Sequence, residues 1–179
     1  MKTSVVSVCW NRALQTKRGI TSLINLKNPP DQIILVDDGS EDKGHTKEVA
    51  RQLGELAKAK GIEFEYVYIN YPEARVSSYP RNVGLRKAKN EIVMFTEPEC
   101  LHVGETIQQM KEKIENDPQR IYIATQIWTM GQTIWNNLTE DEFLHPEKIL
   151  QHPYAQLTNA ANPNNKKAPD SDWAITGSI

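Results

Sequence analysis

A chain of 179 residues with 39% hydrophobic content is sized for one domain, which buries about 70% of its unfolded surface on folding. Its 21 basic and 23 acidic side chains leave a net charge of −2 and are interspersed, which argues against a nucleic-acid partner; the ordinary hydrophobic content argues against disorder. Two cysteines, Cys9 and Cys100, are too few for a disulfide framework, and no apolar run approaches the ~20 residues that span a bilayer. With no signal-peptide pattern either, a cytoplasmic protein without a transmembrane segment is expected, and Asn137-Leu138-Thr139 reads as a chance match to a glycosylation acceptor.

Hydrophobic periodicity switches between strand-like and helix-like over the first two thirds of the chain. Val5 to Trp10 reads as a buried strand. Asn11 is placed to cap a helix whose Ala13, Ile20, Leu23 and Ile24 share a face, ending near Asn28 before Pro29 and Pro30. Ile33 to Val36 form a second strand. A helix from Thr46 to Lys60 carries Val49, Leu53, Leu56 and Ala57 on one stripe, and Gly61 stops it. Phe64 to Ile69 alternate as a third strand. A short helix around Asn82 to Lys89 leads to a fourth strand, Ile92 to Thr96, and a helix carrying Ile107, Met110 and Ile114 leads to a fifth at Ile121 to Trp128. This alternation predicts an α/β fold, a mostly parallel Rossmann-like sheet with helices on both faces. The core spans residues 1–135; residues 136–179 read as irregular, with an exposed loop rich in Asn, Pro and Lys from Asn159 to Asp172.

Open sheets of this kind bind ligands outside the carboxyl ends of their strands, where the strand order reverses. Three polar clusters end different strands: Cys9-Trp10-Asn11, Asp37-Asp38-Gly39-Ser40 and Glu97-Pro98-Glu99. If strand one lies between strands two and four, they line one crevice. The dinucleotide and P-loop glycine fingerprints are both missing, so a diphosphate bound there needs another source of neutralisation. Paired carboxylates holding a hard divalent cation supply one. Glu97 and Glu99 flank Pro98, which keeps the chain extended and projects both to the same side, a spacing that suits one metal. Asp37 and Asp38 exceed what a turn needs. His102 follows Glu99 by three residues, yet a lone histidine is more often structural; His45, His145 and His152 have no ligand spacing. Trp128 reads as core, and Trp135 as a ring that could stack on a sugar.

Ser4 to Asn11, Ile33 to Asp42 (IILVDDGSED) and Tyr79 to Cys100 (YPRNVGLRKAKNEIVMFTEPEC) resemble, in order and spacing, family 2 of the inverting glycosyltransferases. The resemblance implies the GT-A fold and the transfer of a hexosyl unit from a nucleoside diphosphate sugar, a UDP-sugar, with inversion, to a saccharide, lipid or protein acceptor. It also implies site residues. Asp38, together with Asp37, accepts hydrogen bonds from the nucleoside; the backbone around Val8 and the Asn11 side chain line the base pocket; Arg81, helped by Arg75, reaches the base or the phosphates. Glu97 and Glu99 take the places of the first and last acids of the family's D-x-D element and bind Mn²⁺ or Mg²⁺. Both are one methylene longer than the family's aspartates. The general base belongs to the acceptor half in that family, and Trp173 to Ile179 resembles the strand that precedes it; of the nearby loop acids Asp170 and Asp172, neither is assigned that role. Two alternatives stay open. One is a truncated or degenerate domain that binds a nucleotide sugar without turnover. The other is a sugar nucleotidyltransferase, against which stands the lack of glycine from Val8 to Leu14.

Overall fold

The computed structural model describes residues 1–70, 78–119, 126–130, 137–145, 148, 156–159 and 173–177. Apolar runs on both faces are what a central parallel strand requires, and β1 (Thr3–Cys9) and β2 (Gln32–Asp37) satisfy it, being buried along almost their whole length. With β3 (Glu63–Tyr68) and β4 (Ile92–Thr96) they form a parallel sheet in the order β3-β2-β1-β4. Strand one therefore lies between strands two and four. The edge strand β3 alternates instead, and its Glu63 and Glu65 pair with Lys89 and Lys87, charges that discourage pairing with another chain's edge.

Successive residues of a strand point to opposite faces, and the two cores follow that rule. Val5, Ile33 and Leu35 pack with Ile20, Leu23 and Ile24 of α1 (Ala13–Ile24) and with Ala50, Leu53 and Ala57 of α2 (His45–Ala59). Val6, Ile34 and Val36 point the other way, toward Val83 of α3 (Ser78–Lys87) and toward Ala88. Helices thus cover both faces, with β1 as the point of reversal. Burying each such Ile or Leu fully contributes about 1.5–3 kcal/mol. α3 lies so close to the sheet that a Cβ at Gly84 would meet Val6 Cγ1 at 2.3 Å.

Several boundaries differ from expectation. α1 stops at Ile24, short of Asn28, and α3 begins at Ser78, ahead of Asn82, because Pro80 falls in its first turn, where a missing N–H costs nothing. A three-residue strand, β5 (Leu101–Val103), is too short to carry a pattern; α4 (Thr106–Asn116) follows. The expected fifth strand is β6 (Gln126–Met130). It joins no parallel ladder but a second sheet in the order β5-β8-β6-β7, antiparallel to both β7 (Gln156–Asn159) and β8 (Trp173–Gly177). Alternation of side chains is the same in parallel and antiparallel strands, so periodicity could not separate them. Residues 136–179, expected to be irregular, thus supply two strands and a short helix, α5 (Glu140–Leu144), among the described residues. Thr139 caps α5 in a reciprocal capping box with Glu142, a structural use for the glycosylation-like triplet. Among the described residues no helix is long and apolar enough to cross a membrane.

Candidate functional site

Register fixes where the polar clusters stand. Cys9 lies opposite Asp37 and Ser7 opposite Thr96, so the loops after β1, β2 and β4 leave the sheet side by side at its carboxyl edge. Strands about 4.8 Å apart put the ends of β2 and β4 about 10 Å from each other, with β1 between.

The two acids after β2 are held differently. Asp37 is 1% exposed. Its Oδ1 accepts the Ser40 N–H at 2.8 Å and its Oδ2 accepts the Tyr66 hydroxyl at 2.7 Å. Gly39, at φ 74°, turns the chain back for the first of these bonds, a conformation that favours glycine. Burial and the Asp37 carboxylate push the Tyr66 phenol well above its ordinary range, so it stays protonated and donating. Asp38 is 8% exposed and its N–H donates to the Cys9 carbonyl at 2.9 Å, yet its carboxylate has no hydrogen-bond or ion-pair partner among the described residues. Its oxygens are not among the buried unpartnered ones, so they reach solvent and stand open to a ligand that donates hydrogen bonds.

Asn11 does not cap α1, whose N-cap is Arg12 without a side-chain bond. At φ 51°, a left-handed conformation asparagine tolerates, its N–H donates to Ser40 Oγ at 2.8 Å and its Oδ1 accepts the Glu41 N–H at 2.7 Å. It stitches the loop after β1 to the loop after β2. Val8 packs its side chain on the α3 side of the sheet, next to last in β1. Trp10, 45% exposed, stands at the rim.

The acidic segment is a turn, not the extended stretch expected. The Cys100 N–H donates to the Glu97 carbonyl at 3.1 Å, with Pro98 in the second position, where its fixed φ serves a β-turn as well as an extended chain. Glu97 and Glu99 consequently turn to different partners. Glu97 pairs with Arg81 of α3, on one face of the sheet; Glu99 pairs with Arg12, which precedes α1 on the other. The Glu99 side chain is 16% exposed, and its Oε2 is buried with no hydrogen-bond partner. Helix α1 touches this turn closely enough that a Cβ at Gly19 would meet the Pro98 carbonyl oxygen at 2.2 Å and that of Cys100 at 2.9 Å.

His102 is structural. Its Nε2 lies 2.9 Å from Thr96 Oγ1, its backbone N–H donates to Ser22 Oγ at 2.9 Å, and burial pulls its pKa down to about 4. Burial, reinforced by Asp37 and Glu99 respectively, pushes the Cys9 and Cys100 thiols up to about 12, so neither is a nucleophile. Arg75, Trp135, His152, Asp170 and Asp172 lie outside the described residues, as does the side chain of Trp128.

Among the described residues four carboxylates, Asp37, Asp38, Glu97 and Glu99, stand around the crevice against two guanidiniums, Arg12 and Arg81, so these residues offer a diphosphate no net positive charge. The described residues contain no group of three acids, histidines or cysteines that could hold a metal by themselves. A hard cation could take the rest of its shell from phosphate and water, but Glu97 and Glu99 turn apart toward different arginines, so sharing one ion requires each to leave its arginine.

The family model described as glycosyl transferase family 2 matches residues 4–169. The chain belongs to glycosyl transferase family 2. This family 2 chain is 33% identical over 103 residues to the poly(ribitol-phosphate) beta-N-acetylglucosaminyltransferase TarP of Staphylococcus aureus (strain N315), covering 56% of this chain and 29% of TarP. It thus spans less than a third of that relative's length. Among solved structures it is similar to S. aureus TarS 1-349 in complex with UDP-GlcNAc, with a TM-score of 0.53, 15% identity, and coverage of 100% of this chain and 59% of that one. It is also similar to the mannosyltransferase PcManGT from Pyrobaculum calidifontis in complex with GDP-Man and Mn²⁺, with a TM-score of 0.55, 20% identity, and coverage of 72% and 35%. The fold is that of the GT-A glycosyltransferases, and family membership sets aside the nucleotidyltransferase alternative.

Three residues of this site have no place in the sequence analysis: Arg12, Gly19 and Tyr66. Only Arg12 left a signal, since a positive charge at a helix N-terminus opposes the macrodipole and implies an outside partner.

Proposed function

We propose that this chain is the donor-binding part of a glycosyltransferase that takes a UDP-sugar and a divalent cation at the carboxyl edge of β1, β2 and β4 and transfers the sugar with inversion. The observation that carries this reading is Asp38, whose carboxylate at the sheet's carboxyl edge has no partner among the described residues and reaches solvent, beside a neighbour, Asp37, whose two oxygens are both occupied. Asp38 accepts hydrogen bonds from the nucleoside, next to the β1 backbone at Val8 and the loop that Asn11 fastens. Arg81 turns to the diphosphate, with Arg75 as its helper. Glu97 and Glu99 hold Mn²⁺ or Mg²⁺, which, when bound, offsets diphosphate charge and favours its departure. What relatives are named for supports the choice: TarP as a beta-N-acetylglucosaminyltransferase, TarS bound to UDP-GlcNAc, and PcManGT bound to GDP-Man and Mn²⁺.

Calorimetric titration of UDP in the presence of Mn²⁺ tests binding, and release of UDP from UDP-GlcNAc, UDP-glucose and UDP-galactose tests turnover. Saturable UDP uptake with slow release of UDP from one of the three is expected. No uptake of UDP with Mn²⁺ present refutes the site; uptake that raises the melting temperature with no UDP release from any donor identifies a non-catalytic binding domain instead.

A further inference from the structure

We propose that Tyr66 is a positioning residue of the nucleoside site: through Asp37 it closes the turn that carries Asp38, and so sets where that carboxylate meets a uridine. This rests on the reading of Asp38 as the acceptor for the nucleoside given above. Tyr66 stands on the edge strand β3, opposite Leu35 and diagonal to Asp37. Its hydroxyl donates to Asp37 Oδ2 at 2.7 Å, so its influence on the site runs through that acid.

The bond matters because of what Asp37 does with its other oxygen. Oδ1 accepts the Ser40 N–H at 2.8 Å, which closes a ring of chain from Asp37 to Ser40 with Asp38 and Gly39 inside it. A carboxylate held at one oxygen still swings about its side-chain torsions; held at both, it is fixed. Asp38 enters the ring with its N–H on the Cys9 carbonyl and leaves it through Gly39 at φ 74°. The direction of its side chain therefore depends on whether the ring stays closed. Ser40 passes the constraint on: its Oγ accepts the Asn11 N–H at 2.8 Å, and Asn11 Oδ1 accepts the Glu41 N–H at 2.7 Å. An open ring lets Asp38 sample placements that do not bind, and apparent affinity falls with the competent fraction. Phe64 provides the contrast, since it lies two residues earlier on the same face of β3 and packs against the same core, yet its side chain has no donor to offer an acid.

UDP titrations of the whole chain with Mn²⁺ present test this, on wild type, Tyr66→Phe, Asp38→Asn, their double variant, Gly39→Ala and Phe64→Leu, at a temperature where thermal melts show each variant folded. Tyr66→Phe keeps the ring and removes only the oxygen; it should weaken UDP about fivefold, less than Asp38→Asn does. In the Asp38→Asn background it should cost less than about twofold, because the group it positions is already gone. Gly39→Ala, which strains the same turn from within, should weaken UDP about as much as Tyr66→Phe and carries the test if that variant does not fold. Phe64→Leu should melt earlier and bind UDP like the wild type. If Tyr66→Phe melts earlier but binds UDP like the wild type, or if Phe64→Leu costs UDP binding as much, Tyr66 supports the fold alone. If the loss is equal with and without the Asp38 carboxylate, Tyr66 does not act through that acid. Each of these results overturns the role and leaves the nucleoside site standing. No UDP uptake by the wild type refutes the site and this role with it.

Discussion

Asp37 and Asp38 are adjacent, chemically identical, and held in opposite ways, so substituting each should separate stability from binding. Asp37 accepts one hydrogen bond from a backbone amide and one from a phenol, at 2.8 and 2.7 Å. Bonds to a charged acceptor are worth about 1.5–3 kcal/mol each. Asp37→Ala removes both and frees the loop that carries Ser40, so about 3–5 kcal/mol of stability should be lost. For a chain of this size that lowers the melting temperature by about 10 °C. Asp38→Asn removes a charge that no described group pairs with and whose oxygens reach solvent, so the fold should be unharmed, within about 0.5 kcal/mol. Its cost falls on the nucleoside: loss of a charge-assisted bond weakens UDP about 10- to 100-fold. Differential scanning fluorimetry and calorimetry with UDP and Mn²⁺ read the two effects independently. If Asp38→Asn melts as early as Asp37→Ala, or binds UDP like the wild type, the division of labour between these acids is wrong.

Gly19→Ala drives a Cβ against the Pro98 carbonyl oxygen at 2.2 Å and Gly84→Ala against a Val6 methyl at 2.3 Å; each should lose about 1–3 kcal/mol or more in urea denaturation, Gly19→Ala the more because its neighbour is backbone. Only Gly19→Ala should also weaken UDP-dependent Mn²⁺ uptake, because only it pushes on the acidic turn; equal Mn²⁺ affinities in the two variants would count against that coupling. His102 has its pKa pulled down to about 4 in the fold, against about 6.5 in the unfolded chain. Above pH 6.5 neither state is protonated there and pH has no effect. As pH falls from 6.5 to 4 the unfolded chain takes the proton first, and stability should drop by at most about 3 kcal/mol through this residue. His102→Asn should flatten the stability curve between about pH 6.5 and 5.5, above the range in which most carboxylates titrate; an unchanged slope would refute the assignment.

Much of the sheet was legible because its signals are local. The apolar runs of β1 and β2, the stripe of α2 and the acids ending strands two and four are each contained within one short stretch of chain. What could not be read was set by partners remote in sequence. Tyr66 is 29 residues from Asp37, and Arg12 is 87 from Glu99, so nothing nearby marks Asp37 as satisfied and Asp38 as open. The Pro98 segment was misjudged for another reason. Proline's fixed φ fits both a turn and an extended chain, and the choice is made by α1, whose Gly19 admits the Pro98 carbonyl.

That turn also gives the length of the two glutamates a use. In an extended segment two acids two residues apart share a side and could converge on one ion with short side chains. In the turn they diverge toward arginines on opposite faces of the sheet, and the extra methylene gives each carboxylate the reach to meet its arginine. Shortening Glu99 should therefore loosen its bond to Arg12 before it harms the fold. Glu99→Asp, titrated with Mn²⁺ in the absence of UDP, should bind about two- to fivefold more tightly than wild type. Should it bind Mn²⁺ more weakly with and without UDP, length at this position serves the cation directly and not the arginine.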